Sequence, residues 1–163
     1  MANLAFEDTF MDTTQRIADS GVTNQFVTFT CGQNGYGIEI MSVREIRSWS
    51  PMTPLPGQPF GAEGVLDIRG NIVEVYDLAT LLSSGGDSGQ RNRVVLVVSL
   101  GKREAGIIVD TVSDIIFVRE EDMRPAPAGN GRGGEAVVSG LVKSEDRLIA
   151  ILDLQALFPG YGG

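Results

Sequence analysis

Apolar and polar positions from Gly64 to Leu82 (GVLDIRGNIVEVYDLATLL) predict a strand, a tight turn, a second strand and a short helix. Val65 to Ile68 is apolar except for Asp67. Arg69-Gly70-Asn71 supplies the turn, because Gly tolerates positive φ and Asn hydrogen-bonds locally. Ile72 to Tyr76 is apolar on both phases of the period-2 alternation, with only Glu74 polar, which predicts a strand covered on two faces. Asp77 stands where a helix N-cap belongs, and Leu78, Leu81 and Leu82 follow at the spacing of one helical face.

The same pattern returns from Gly140 to Phe158 (GLVKSEDRLIAILDLQALF). At a shift of 76 residues Gly64 falls on Gly140, Asp77 on Asp153, Leu78 on Leu154 and Leu81 on Leu157. A second pair lies upstream at a shift of 69. There Gly32, Gly37, Ile38, Val43 and Ile46 fall on Gly101, Gly106, Ile107, Val112 and Ile115. Glycines, the Asp-Leu pair and apolar positions register together, so the chain reads as an internal duplication. The first copy spans about 25–82, a Ser- and Gly-rich linker 83–92, and the second copy about 93–158.

The remaining segments fit around these copies. Residues 1–24 are polar with scattered apolar positions and read as a flexible N-terminal tail; residues 159–163 read as a short C-terminal one. Gln25 to Thr30 alternates like a strand, and Gly32 to Gly35 turns the chain into an extended stretch from Tyr36 to Trp49. Pro51, Pro54, Pro56 and Pro59 make the next segment a stiff surface loop rather than a ladder strand. Arg93 to Leu100 reads as a buried strand, Ala105 to Val118 as one or two more, and Arg119 to Met123 as a charged helical turn.

Composition narrows the function. The net charge of −8 argues against a phosphate backbone or an anionic membrane surface as partner. No apolar run approaches the roughly 18–20 residues of a spanning helix, and the N-terminus does not read as a secretory signal. Cys31 is the only cysteine, so no internal disulfide forms. The chain has no histidine, which removes the commonest general base and metal ligand. No catalytic residue, metal or cofactor is expected.

Weighed individually, the chemical candidates mostly have structural explanations. Asp77 and Asp153 read as helix N-caps, and Asp110 and Asp114 have no local basic partner. Cys31 reads as a small buried thiol. Gly129 to Gly134 lacks the Lys-Ser/Thr of a phosphate-binding loop and is expected to be a plain loop. Arg69 differs. It stands at a hairpin tip, and its counterpart in the second copy is Glu145, so it is a candidate for a function that only one copy carries.

Together, Tyr36-Gly37-Ile38-Glu39-Ile40, Val43-Arg44-Glu45-Ile46, Gly64 to Leu78, Gly106 to Asp110, Val112-Ser113-Asp114 and Arg124-Pro125-Ala126-Pro127 closely resemble the CheW family of bacterial chemotaxis coupling proteins. One departure is Asp67, where the family usually has Asn. The resemblance implies a mainly β fold of two small five-stranded SH3-like barrels, related by a pseudo-two-fold, with short helices and a hydrophobic seam. It implies a non-enzymatic adaptor that couples the cytoplasmic tip of chemoreceptors to the regulatory domain of the histidine kinase CheA. Such an adaptor would sit in the cytoplasm, at the inner face of the membrane. Carried over by position, the receptor face would comprise Val43, Glu45, Ile46, Arg69, Val112 and Ile115. The kinase-facing surface would lie near Gly64 and Gly70. Competing readings are an adaptor of a non-swimming chemosensory pathway, an enzyme using Asp110, Asp114 or Cys31, and a small-ligand-binding barrel.

Overall fold

The computed structural model describes residues 24–82, 93–126 and 137–158. The expected tails (apart from Asn24), the linker and the Gly129–Gly134 loop lie outside the described residues. The first copy supplies β1 (Asn24–Cys31), β2 (Asn34–Glu39), β3 (Val43–Ser48), β4 (Ala62–Ile68) and β5 (Asn71–Asp77). The second supplies β6 (Val94–Leu100), β7 (Arg103–Val109), β8 (Thr111–Val118), β9 (Val138–Ser144) and β10 (Arg147–Leu152). One-turn helices, Leu78–Leu81 and Leu154–Leu157, follow β5 and β10. Asp77 and Asp153 cap them, each accepting a backbone N–H two residues on at 3.2 and 3.1 Å.

The strands form two five-stranded sheets, ordered β8-β1-β2-β10-β9 and β3-β6-β7-β5-β4. Each sheet takes a hairpin from one copy and three strands from the other. Neither copy is a lobe by itself. The joints are two parallel pairs, in which Ala150 faces Tyr36 and Glu74 faces Ala105. The repeat maps one pair onto the other, so the pseudo-two-fold extends to the register. Each sheet closes through a bridge after its edge strand, Thr53 to Val65 in one and Arg124 to Leu141 in the other. That closure leaves two small barrels.

Each barrel is filled with side chains. Leu66, Val73, Val75, Val95 and Val97 pack inside one, and Phe26, Val142, Ile149 and Ile151 inside the other. The repeat explains the glycines that both copies keep at Gly37 and Gly106. A Cβ on Gly37 would lie 2.9 Å from Ile151 Cδ1, and one on Gly106 would lie 3.0 Å from Val95. Only a residue without a side chain leaves room for the aliphatic of the neighbouring paired strand in the narrow barrel.

A third apolar cluster joins the barrels. Val27, Phe29, Ile38 and Leu152 of one meet Leu96, Val98, Ile107 and Tyr76 of the other. Tyr76 is fully buried and stands edge-on to Phe158, with ring centroids 5.1 Å apart. The two-faced burial expected of β5 holds from Val73 onward. Ile72 departs from it, being 65% exposed, as does its counterpart Leu148 at 60%. Both precede the point where the barrel wall is covered.

Gly64 is buried beneath the closing bridge, where a Cβ would lie 2.8 Å from the Thr53 carbonyl oxygen. No rotamer change moves a backbone oxygen. Gly64→Ala is therefore expected to destabilise the protein by about 1–3 kcal/mol, read as a lower urea midpoint with an unchanged slope.

Candidate functional site

Val43 and Ile46 lie three residues apart, yet both are buried against the cluster between the barrels. Alternation along a regular strand would send them to opposite faces. A bulge resolves this: Val43 pairs with Val98 and Glu45 with Val97, leaving Arg44 unpaired. The bulge repeats at Ser113, because Asp114 pairs with Thr28 and Val112 with Phe29. Val112 and Ile115 therefore also pack on the same cluster, half-buried. The structure thus places the four apolar candidates on two pseudo-equivalent edge strands, all packed on the cluster that joins the barrels.

The same bulge sets Glu45 and Arg47 on the other face of β3. The Glu45 side chain is only 9% exposed, and its two oxygens have different partners. Arg69 Nη2 lies 3.0 Å from Oε1, and Arg47 Nη1 donates to Oε2 at 3.2 Å. Arg69 reaches across from the β4–β5 turn with its own side chain 75% exposed. Both turn residues have positive φ, 55° at Arg69 and 85° at Gly70, as a two-residue hairpin loop requires. Glu145 repeats the conformation with φ 56°. The duplication keeps the backbone and changes the charge. In the second lobe Glu45 and Arg69 are replaced by Asp114 and Glu145, which cannot pair with each other.

Asp67 supports this turn. Its Oδ1 accepts the Gly70 N–H at 2.9 Å, a bond that an Asn side-chain oxygen can also accept. Gly70 is exposed at the tip, whereas Gly64 is enclosed. Sequence reasoning missed Arg47 as a member of the site. The signal was available: Glu45 and Arg47 are two apart on a strand and so share a face.

The rival chemistry finds little support in the geometry. Cys31 is buried, and desolvation, followed by the charges of Asp110 and Asp77, raises its pKa to about 11, the reverse of an activated thiolate. Asp110 accepts the Gly32 N–H at 2.8 Å and so closes the β1–β2 turn. Asp114 accepts its neighbour's N–H at 2.7 Å. A cleft of about 370 Å³ between the barrels is lined by Phe26, Glu39, Leu100, Met123, Leu152 and Gln155, among others. None of the candidate site residues borders it.

The model of the CheW-like domain matches residues 25–160. The chain belongs to the CheW family. The chemotaxis protein CheW of Klebsiella aerogenes is 34% identical and aligns with 89% of this chain and 87% of its own length. That of Rhizobium meliloti is 31% identical, aligning with 83% and 87%. The crystal structure of the scaffolding protein TtCheW from Thermoanaerobacter tengcongensis superposes with a TM-score of 0.76 at 30% identity, covering 86% of this chain and 90% of that one. A role as a scaffold in chemotaxis signalling follows, and the mainly β fold expected from the resemblance is the one observed.

Two outcomes test the CheW-type turn and the thiol. Asp67→Asn is expected to leave stability unchanged, whereas Asp67→Ala loses the turn bond and about 0.5–1.5 kcal/mol by urea denaturation. At pH 8 Cys31 is expected to alkylate at least about 100-fold more slowly than a free thiol, because so little of it is thiolate. A time course with iodoacetamide, read by mass spectrometry, measures that ratio.

Proposed function

We propose that this protein is a non-enzymatic adaptor that couples the cytoplasmic tip of chemoreceptors to the regulatory domain of CheA, at the inner face of the membrane. Val112 and Ile115, half-buried, would take apolar side chains from the receptor's helical hairpin, as in helix-in-groove recognition, while the buried Val43 and Ile46 would shape the receptor face from beneath. Arg69 would supply charge-assisted hydrogen bonds to receptor carboxylate or carbonyl groups, which orient the hairpin on the seam. The kinase would meet the barrel end around the β4–β5 turn. There Gly70 offers exposed backbone, whereas Gly64, buried near the far end of β4 where it pairs with Val75, would act only by shaping the hairpin.

The observation that carries this reading is the asymmetry of a symmetric frame. Both lobes present a bulged edge strand and a tight turn, but only one combines them with an arginine held by a nearly buried glutamate. Barrel packing does not require that arginine, since the other lobe closes with Glu145 in its place. Coupling would then act through geometry: a rearranged receptor tip shifts how the adaptor presents the kinase, with no chemistry in this chain.

The test is co-sedimentation with a chemoreceptor signalling fragment and CheA. Arg69→Asn is the informative variant, because Asn tolerates the left-handed backbone and brings no second carboxylate next to Glu45. Receptor affinity is expected to fall by at least about tenfold while the unfolding midpoint stays within error. Unchanged receptor affinity would remove Arg69 from the site.

A further inference from the structure

Resting on the receptor-binding reading of Arg69, we infer that Arg47 is a positioning residue: it holds the Glu45 carboxylate when Arg69 moves to a partner carboxylate, so that binding is an exchange of ion pairs. Arg47 and Arg69 do not compete for Glu45, since each takes a different oxygen, at 3.2 and 3.0 Å. Glu45 is nearly enclosed, so a single counter-ion could not leave without stranding a buried carboxylate. With Arg47 in place, the carboxylate keeps one hydrogen-bonded cation throughout.

The two arginines also differ in mobility of environment. The Arg69 side chain is 75% exposed and stands on a turn, free to reorient toward an incoming group. That of Arg47 is 33% exposed and leaves the regular strand β3, where Arg47 pairs with Val95. Its Nε is buried and has no hydrogen-bond partner among the described residues. A guanidinium fixed at that depth, with one nitrogen unpaired, is poorly placed to reach a partner and well placed to stay with Glu45. The second lobe has no equivalent device, because Arg47 falls on Ile116 and Glu45 on Asp114, whose Oδ1 accepts a backbone N–H of its own strand.

The exchange makes a prediction that a direct contact or a purely structural role does not. Arg47→Met keeps an apolar stem but leaves Glu45 dependent on Arg69. Affinity for a chemoreceptor signalling fragment, measured by isothermal titration, should drop about tenfold although Arg69 is intact. Arg47→Lys should restore most of it. Adding Glu45→Gln to Arg47→Met should also restore it, because no carboxylate remains to retain Arg69. An Arg47→Met affinity equal to that of the unmodified protein, or a loss that Glu45→Gln fails to relieve in a folded double variant, overturns the exchange. Failure of Arg69→Asn to weaken binding would instead overturn the reading beneath it, so the two failures are distinguishable.

Discussion

Parallel pairing at two joints, β2 with β10 and β5 with β7, is the constraint on which the rest of this structure depends. Parallel neighbours cannot be joined by a tight turn; the chain must leave the sheet and return. Here it leaves by crossing into the other lobe. The crossing that completes one barrel delivers strands to the second, and the apolar surface between them becomes a continuous core. The packing glycines follow from the same joints. Gly37 and Gly106 lie on the parallel strands β2 and β7, where an aliphatic of a neighbouring paired strand fills the space a Cβ would take. The two lobes consequently share one apolar core.

On that frame the two edge strands β3 and β8 remain beside the seam, and their repeated bulges turn residues at odd spacing onto one face. Strand geometry thereby gathers four aliphatics from distant parts of the chain. Their packing is partly internal: Val43 and Ile46 are buried, whereas Val112 and Ile115 are half-covered. A partner helix would then meet a surface already shaped by the core, at little cost in side-chain ordering. Charge is the element that the pseudo-symmetry does not share. The Glu45 carboxylate, flanked by Arg47 and Arg69, occurs beside one bulge, and the equivalent place beside the other holds two carboxylates. A frame with two similar ends thus offers unlike chemistry at each, which suits a scaffold whose partners differ.

Much of this was legible because the chain states its local structure twice. The Asp-Leu caps, the glycine positions and the period-2 strands register between the copies along the chain, and the two capped helices lie where the repeat places them. Asp67 was legible only as a departure from the family's usual Asn. Its place under the turn, accepting the Gly70 N–H, is one that an Asn side-chain oxygen can also fill. Ile72 was misread, because period-2 apolarity cannot tell a wall residue from one standing beyond the wall's edge. Arg47 was missed because a charged residue on a strand ordinarily means a solvated face.

The sequence alone left 36–49 as one extended stretch and 105–118 as one or two strands, but it set the repeated strand–turn–strand–helix units, the turn at Arg69-Gly70 and the duplication. Each of these depends on residues within a few positions or on self-similarity along the chain. Tertiary structure alone decided which copy builds which barrel, since parallel pairing joins Glu74 to Ala105 and Ala150 to Tyr36 across most of the fold. It also decided that Arg69 meets Glu45. Glu45 lies on β3 and Arg69 in the β4–β5 turn, and they meet only when the chain after β3 closes the barrel against β4. The charge pattern gave no sign of that meeting, because an ion pair is a matter of distance and burial, and both are set by closure.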